Sequence, residues 1–180
     1  TSTLFLFYVE SRLTAPDAAG PLLLLFFMSA ALAAPLWTFL AERFGLKRVL
    51  RAAMGLAIFS LFWVLFLNSG DVIAFGVICV LSGAAVGADM TLIPAVFAQR
   101  IAHIGASTTD GFGLWSFVSK FSLAVAAVIL LPSLEFAGFR SGQENSAVAL
   151  GVLTWTYALV PCALKLLAIA VLQRTDLRES

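Results

Sequence analysis

The chain has 180 residues, 61% of them hydrophobic and 12% charged, with a mean hydropathy of +1.01 and a formal net charge of +1. Soluble domains carry about 45–50% apolar and about 25% charged residues, so a water-soluble fold of this length would lack the polar surface to cover itself. The near-neutral balance gives no electrostatic footing for nucleic acid or another polyanionic partner.

Cys79 and Cys162 lie in apolar runs without a His or a second Cys at ligand spacing. That pattern excludes a disulfide framework or a zinc site and leaves both as small core residues. No Ser/His/Asp set, Gly-rich phosphate loop, HExxH pattern or working pair of carboxylates occurs, so neither enzymatic function nor a cofactor is expected.

The chain opens with TSTLFLFYVESRL, which has no initiator Met, basic n-region or small-residue cleavage site. It therefore reads as the end of a helix whose beginning is missing, and the chain as a fragment of a larger membrane protein. A membrane crossing needs about 20 mostly apolar residues. On that measure the sequence predicts one partial span at 1–9 and full spans at 21–40, 52–67, 72–96, 112–131 and 147–172, within a single transmembrane helical domain of residues 1–180.

Between the second and third spans lies a basic connector, AERFGLKRVLR at 41–51, and NSGD at 68–71 is a strong turn signal. Arg43, Lys47, Arg48, Arg51, Arg100, Arg174 and Arg178 fall in one set of loops, against Arg12 and Arg140 in the other. Positive charge marks the cytoplasmic side, which predicts a cytoplasmic C-terminus.

Asp89 and Lys120 are placed where hydrocarbon should be. Asp89 lies 11 residues before Arg100 and Lys120 lies 10 after Asp110, so each is about 15 Å from the same rim. An ionisable group at that depth costs about 3 to more than 10 kcal/mol unless it is paired or faces water. Helices joined by one loop usually pack side by side, so the two charges are expected to meet near the midplane. A transport role for the pair competes with a static salt bridge, or with a snorkelling lysine.

Small residues surround Asp89, including GAAVG at 83–87, whose spacing admits a close neighbouring backbone. Pro94, further along the same span, removes a backbone bond and offers a place to bend. Trp115 stands five residues before Lys120, about 140° round the helix, which suits interface anchoring better than stacking on a solute ring. Trp37, Trp63 and Trp155 are similarly ambiguous, and Trp155 with Tyr157 fits an aromatic belt or a cavity lining. Lys165 lies nine residues from Arg174 and is expected to snorkel to the cytoplasmic rim. His103, beside Arg100, reads as a solvated loop residue.

ERFGLKR, with Glu42, Arg43, Gly45, Lys47 and Arg48, resembles the acidic, basic and glycine loop between membrane helices of the major facilitator superfamily. ADMTLIPAVFAQR followed by DGFGLWSFVSK is similar to the glycoside–pentoside–hexuronide:cation symporters, the melibiose-carrier group, and PCALKLLAIAVLQRTDL resembles their last helix. The resemblance implies an all-α integral membrane protein, the C-terminal six-helix half of a major-facilitator fold with its first helix partial. It also implies cation-coupled symport of a sugar or other small polar solute by alternating access, with H+ or Na+ as coupling ion and no metal site. Asp89, Lys120 and Trp115 would line the substrate and cation pathway; Glu42, Arg43, Gly45, Lys47 and Arg48 would form a conformational latch. The implied partners are the missing N-terminal six-helix half, a small-molecule solute and the lipid bilayer, in a bacterial inner membrane. A lipid transporter on the same scaffold and a non-transporting membrane assembly or sensory subunit remain as alternatives.

Overall fold

A computed structural model describes residues 2–13, 15–105, 107–136, 138 and 146–174. They are helical, with no strand among the described residues. Helix α1 (Ser2–Phe7) continues into a π-helical turn (Tyr8–Arg12) and a 3-10 turn (Pro16–Ala18). The long helices follow: α2 (Ala19–Phe44), α3 (Leu46–Trp63), α4 (Val72–Ile104), α5 (Thr108–Phe136) and α6 (Ala147–Arg174). Five of the described helical segments are long and apolar enough to cross a membrane.

Each of these five occupies one of the predicted full spans, but the helices overrun the apolar stretches. The 41–51 connector is almost entirely helical, because α2 and α3 are separated by the single residue Gly45 at φ +89°. That backbone conformation is strained for any residue with a Cβ. The charged residues beside it are good helix formers, so polarity here marks the edge of the bilayer and not the end of a helix. Helix α4 likewise continues past residue 96 to Ile104 and stops at Gly105 in the left-handed region. Helix α5 begins at Thr108, where the Ser107 hydroxyl accepts the Asp110 N–H at 3.3 Å. Arg140 and Arg178, two of the residues used for orientation, lie outside the described residues.

The buried side chains form two apolar clusters. One, at the end of the bundle that carries the 68–71 turn, gathers Phe5, Tyr8, Leu22, Val64, Phe75, Cys79, Leu153 and Tyr157 with their neighbours. Tyr8 is completely buried there, stacked on Phe75 at 5.3 Å and on Tyr157 at 5.2 Å, and its hydroxyl donates to the Val64 carbonyl at 3.1 Å. The Gly70 N–H donates to the Leu13 carbonyl at 3.3 Å and ties the turn to the first helical stretch. The other cluster, at the Gly45 end, holds Val49, Leu50, Ala53, Met54, Ala88 and Leu92.

Helices α2 and α4 pack most closely. A Cβ added at Gly83 would collide with the Phe26 carbonyl oxygen, and one at Gly87 with that of Ala30. The GAAVG segment is therefore a packing seam. Two side chains of α2 reinforce it: the Ser29 hydroxyl donates to the Val80 carbonyl at 2.6 Å and the Trp37 indole N–H to the Ala84 carbonyl at 2.7 Å. Helix α5 is the contrast. Lys120 and the flanking residues 116–129 are all exposed.

Gly87→Val should force α2 off α4 and destabilise the helix bundle by about 1–3 kcal/mol. Gly55→Ala, where a Cβ meets nothing within 4 Å, should be neutral or slightly stabilising. Thermal unfolding of the two variants in detergent, followed by tryptophan fluorescence, checks the difference.

Candidate functional site

Asp89 stands on α4 and Lys165 on α6. Seventeen residues separate Val72 from Asp89, and eighteen separate Ala147 from Lys165. At 1.5 Å per residue both side chains lie about 26 Å along helices that run in the same direction. They meet: the Lys165 ammonium donates to Asp89 Oδ2 in an ion pair, with side chains 20% and 21% exposed. Asp89 Oδ1 is buried and has no hydrogen-bond partner among the described residues.

The pairing of Asp89 with Lys120 expected from the sequence is not formed, and Lys165 is not a snorkelling residue. Helical phase explains both outcomes. Asp89 is two residues beyond Gly87, about 200° round α4, and so faces away from α2. Helix α3 packs on both α4 and α6, which brings α6 to that side. Helix α5 meets α4 only near their shared loop. There Ile101 fills the space above Gly111, and Phe97 packs on Phe112 at 5.5 Å and on Trp115 at 4.9 Å. Lys120 is about 140° from Trp115 and about 180° from Gly111, so the face that touches α4 is not the face that bears the lysine.

Around the ion pair the core changes character. On α6 the two apolar clusters end at Ala158 and resume at Ala168. The interval carries Lys165 and Cys162, whose thiol donates to the Ile58 carbonyl at 3.8 Å. On α3 the corresponding interval holds Ser60, fully buried, with its hydroxyl bonded to the Ala57 carbonyl at 3.0 Å. A polar layer therefore interrupts the apolar packing near mid-helix. Pro94 and Pro161 lie within α4 and α6 and leave the Met90 and Tyr157 carbonyls without their usual helical donors. One of these carbonyls is adjacent in sequence to Asp89.

The latch residues surround the Gly45 turn. Glu42, Arg43 and Arg48 are exposed, and the Arg43 guanidinium lies 5.7 Å from the centre of the Phe44 ring. Lys47 donates to the Gln173 carbonyl at 3.5 Å. This positive charge at the C-terminal end of α6 complements the helix dipole. Among the aromatic candidates, Trp155 is 61% exposed and Tyr157 is buried in the ring stack. His103 is exposed. No group of three His, Cys, Asp or Glu side chains suited to a metal ion occurs among the described residues.

Sequence reasoning missed the contacts of Lys165 and Tyr8. For Lys165 a signal was available in the matched depth of residues 89 and 165 on parallel helices. Tyr8 gave none, because its burial depends on how the first helical stretch crosses α4 and α6.

A chain with five described helices long and apolar enough to cross a membrane belongs, by its architecture, among helical membrane proteins. Residues 1–179 match the family model described as MFS/sugar transport protein, and the chain belongs to that family of the major facilitator superfamily. It is an integral membrane protein with the all-α fold of a major-facilitator half. It is similar to the human sodium-dependent lysophosphatidylcholine symporter 1 (Homo sapiens), with 30% identity over 127 residues, or 67% of this chain and 23% of that protein. The matched segment thus spans about a quarter of the relative's length. No solved structure matches the chain.

Lys165→Ala removes one member of a partly buried pair, and the Asp89 charge left behind should lower stability by about 1–3 kcal/mol. Lys120→Ala, at an exposed site, should change stability by less than about 0.5 kcal/mol. Unfolding midpoints of the two variants in detergent measure the contrast.

Proposed function

We propose that this chain is the C-terminal half of a secondary active transporter that moves a small polar solute, a sugar or glycoside first among them, together with H+ or Na+ by alternating access. The observation that carries the reading is the Asp89–Lys165 ion pair near mid-span in a member of a transporter family. Ionised side chains at that depth are costly unless they are paired or hydrated, and they mark ion and solute paths in membrane bundles.

Lys120 supports the reading independently. It is exposed on α5, ten residues beyond Asp110, and an ammonium at that depth is stable beside water and not beside acyl chains. In the proposal Lys120 and Asp89 line a hydrated cavity, with Trp115 near its cytoplasmic end. The opposite wall is an N-terminal six-helix half, against which this unit rocks. Glu42, Arg43, Gly45, Lys47 and Arg48 form the latch at the cytoplasmic rim, the C-terminus is cytoplasmic, and the membrane is a bacterial inner membrane.

One finding favours a second solute class. The human relative is named as a lysophosphatidylcholine symporter. Phe117, Phe121 and Leu123, exposed apolar side chains within about 100° of Lys120 round α5, suit an amphiphile.

Reconstituted full-length transporter, given labelled melibiose or labelled lysophosphatidylcholine under an inward Na+ or H+ gradient, tests the proposal. Uptake of at least one solute should be gradient-dependent, and Lys120→Ala should lower it at least tenfold while the protein stays inserted and monodisperse. Full uptake by that variant contradicts the mechanism. If neither solute accumulates in the wild type, the sugar and amphiphile readings fail and the result favours charges that lock helices in an assembly or sensory subunit.

A further inference from the structure

Helix α3 has two distinct faces. Val49, Leu50, Ala53, Ala57 and Ser60 are buried in the bundle, whereas Arg48, Arg51, Gly55, Phe59, Phe62 and Trp63 are exposed. At about 100° per residue the exposed set falls within about 60° of Arg48, so it forms one continuous stripe. Of the two latch residues on α3, Lys47 reaches the Gln173 carbonyl of α6, and Arg48 belongs to the outer stripe. The buried face packs on α4 and α6, which turns the outer face away from the Asp89–Lys165 pair.

Along its axis this face changes from charged to apolar over the depth of one leaflet. Arg48 and Arg51 stand one turn apart at the Gly45 end, and neither is ion-paired with a carboxylate among the described residues. Beyond them Ala52 and Gly55 leave a shallow recess, since a Cβ at Gly55 would meet nothing within 4 Å. Phe59 closes the recess at 56% exposure, with its ring edge-on to Trp63 at 6.1 Å. Arg48 and Phe59 are eleven residues apart, which is about 16 Å along the helix against about 15 Å for half the hydrocarbon core.

Guanidinium groups carry planar sets of donors that fit phosphate oxygens. At the membrane rim such phosphates are supplied by anionic lipids. A soluble anion would make no use of the recess or of the aromatic residues below it, whereas an acyl chain attached to the phosphate would run along both.

We infer that the outer face of α3 binds one anionic phospholipid, with its phosphate on Arg48 and Arg51 and an acyl chain laid over Ala52 and Gly55 against Phe59. Charge complementarity selects the occupant, because a zwitterionic headgroup adds an ammonium that the two guanidinium groups repel. The lipid is a resident of the outer surface and is distinct from any transported solute. The site rests on the arginines and the membrane-spanning helix, and not on the identity of the solute.

Native mass spectrometry of purified, delipidated full-length protein tests the site, with equal amounts of dioleoyl phosphatidylglycerol and dioleoyl phosphatidylcholine offered together. Wild type should retain phosphatidylglycerol in preference by about tenfold, the effect expected of two rim arginines. Arg48→Gln with Arg51→Gln should bring retention of the two lipids close to equality. Arg100→Gln, which removes an exposed charge from α4, should leave the preference unchanged. Gly55→Phe, which fills the recess, should lower phosphatidylglycerol retention severalfold, and added inorganic phosphate should not displace the lipid.

If the double arginine variant is not monodisperse, Gly55→Phe carries the test alone. Retention that is unaffected by these substitutions overturns the inference, as it would if the N-terminal half or a second copy covered this face. An equal loss of preference in Arg100→Gln overturns it as well, because the arginines would then act only as part of a general basic rim. Displacement by inorganic phosphate also contradicts it and points to a free anion. Gradient-driven uptake tests the transporter reading separately, and none of these lipid results bears on it.

Discussion

A carboxylate halfway through a membrane helix must be given a counter-charge, and in this fold the constraint decides where α6 goes. Asp89 cannot face α2, because the Gly83 and Gly87 seam brings the α2 backbone against the opposite side of α4. It faces the side that α3 shares with α6, and the lysine stem is long enough to reach it there. Attraction between two unit charges 4 Å apart is about 4 kcal/mol at an effective dielectric of 20, and much of it is offset by desolvation. The net contribution of such a pair is small. The cost of leaving either member alone is large, which makes the contact a device for register and choice of neighbour more than a source of stability.

The rest of the architecture follows from this division of labour. Apolar packing is concentrated at the two ends of the bundle, one cluster around Tyr8, Phe75 and Tyr157 and one around Leu50, Met54 and Leu92. The polar layer between them contains the ion pair, Ser60 and Cys162. Small-residue packing fuses α2 to α4 through backbone contact, whereas α6 contributes Leu153 and Tyr157 to one apolar cluster, packs Ala168, Ile169 and Leu172 on the other, and is tied between them by the ion pair and the Cys162 thiol. Helix α5 is anchored by its first turns on Phe97 and Ile101 and by Leu130 on the first apolar cluster, and residues 116–129 between them are exposed. A unit built in this way has a closely packed helix pair, a helix joined to it by two apolar clusters and an ion pair, and a largely uncovered helix carrying a charge.

Much of this was legible in the sequence. Five of the six expected spans are read directly from apolar length, and the family from the ERFGLKR loop with the Asp89 and Lys120 segments. The GAAVG spacing announced a close helix contact and left its partner open, since a seam of small residues says nothing about which backbone will fill it. Loop polarity misled the boundaries at 41–51, where charged residues that favour helix continue α2 and begin α3 with one glycine between them. The ion pair was misassigned for a related reason. Adjacency along the chain made Lys120 the natural partner of Asp89, but side-chain direction is set by helical phase, and the partner came from the more distant parallel helix at matching depth.

The central claim is that Asp89 pairs with Lys165 and not with Lys120. Cross-linking in native membranes tests it, using full-length protein in which Cys79 and Cys162 are replaced by Ser and paired cysteines are introduced. Asp89→Cys with Lys165→Cys should be bridged rapidly by a short bifunctional thiol reagent, and Asp89→Cys with Lys120→Cys should not. Bridging of the second pair in preference to the first would contradict the arrangement on which the site depends.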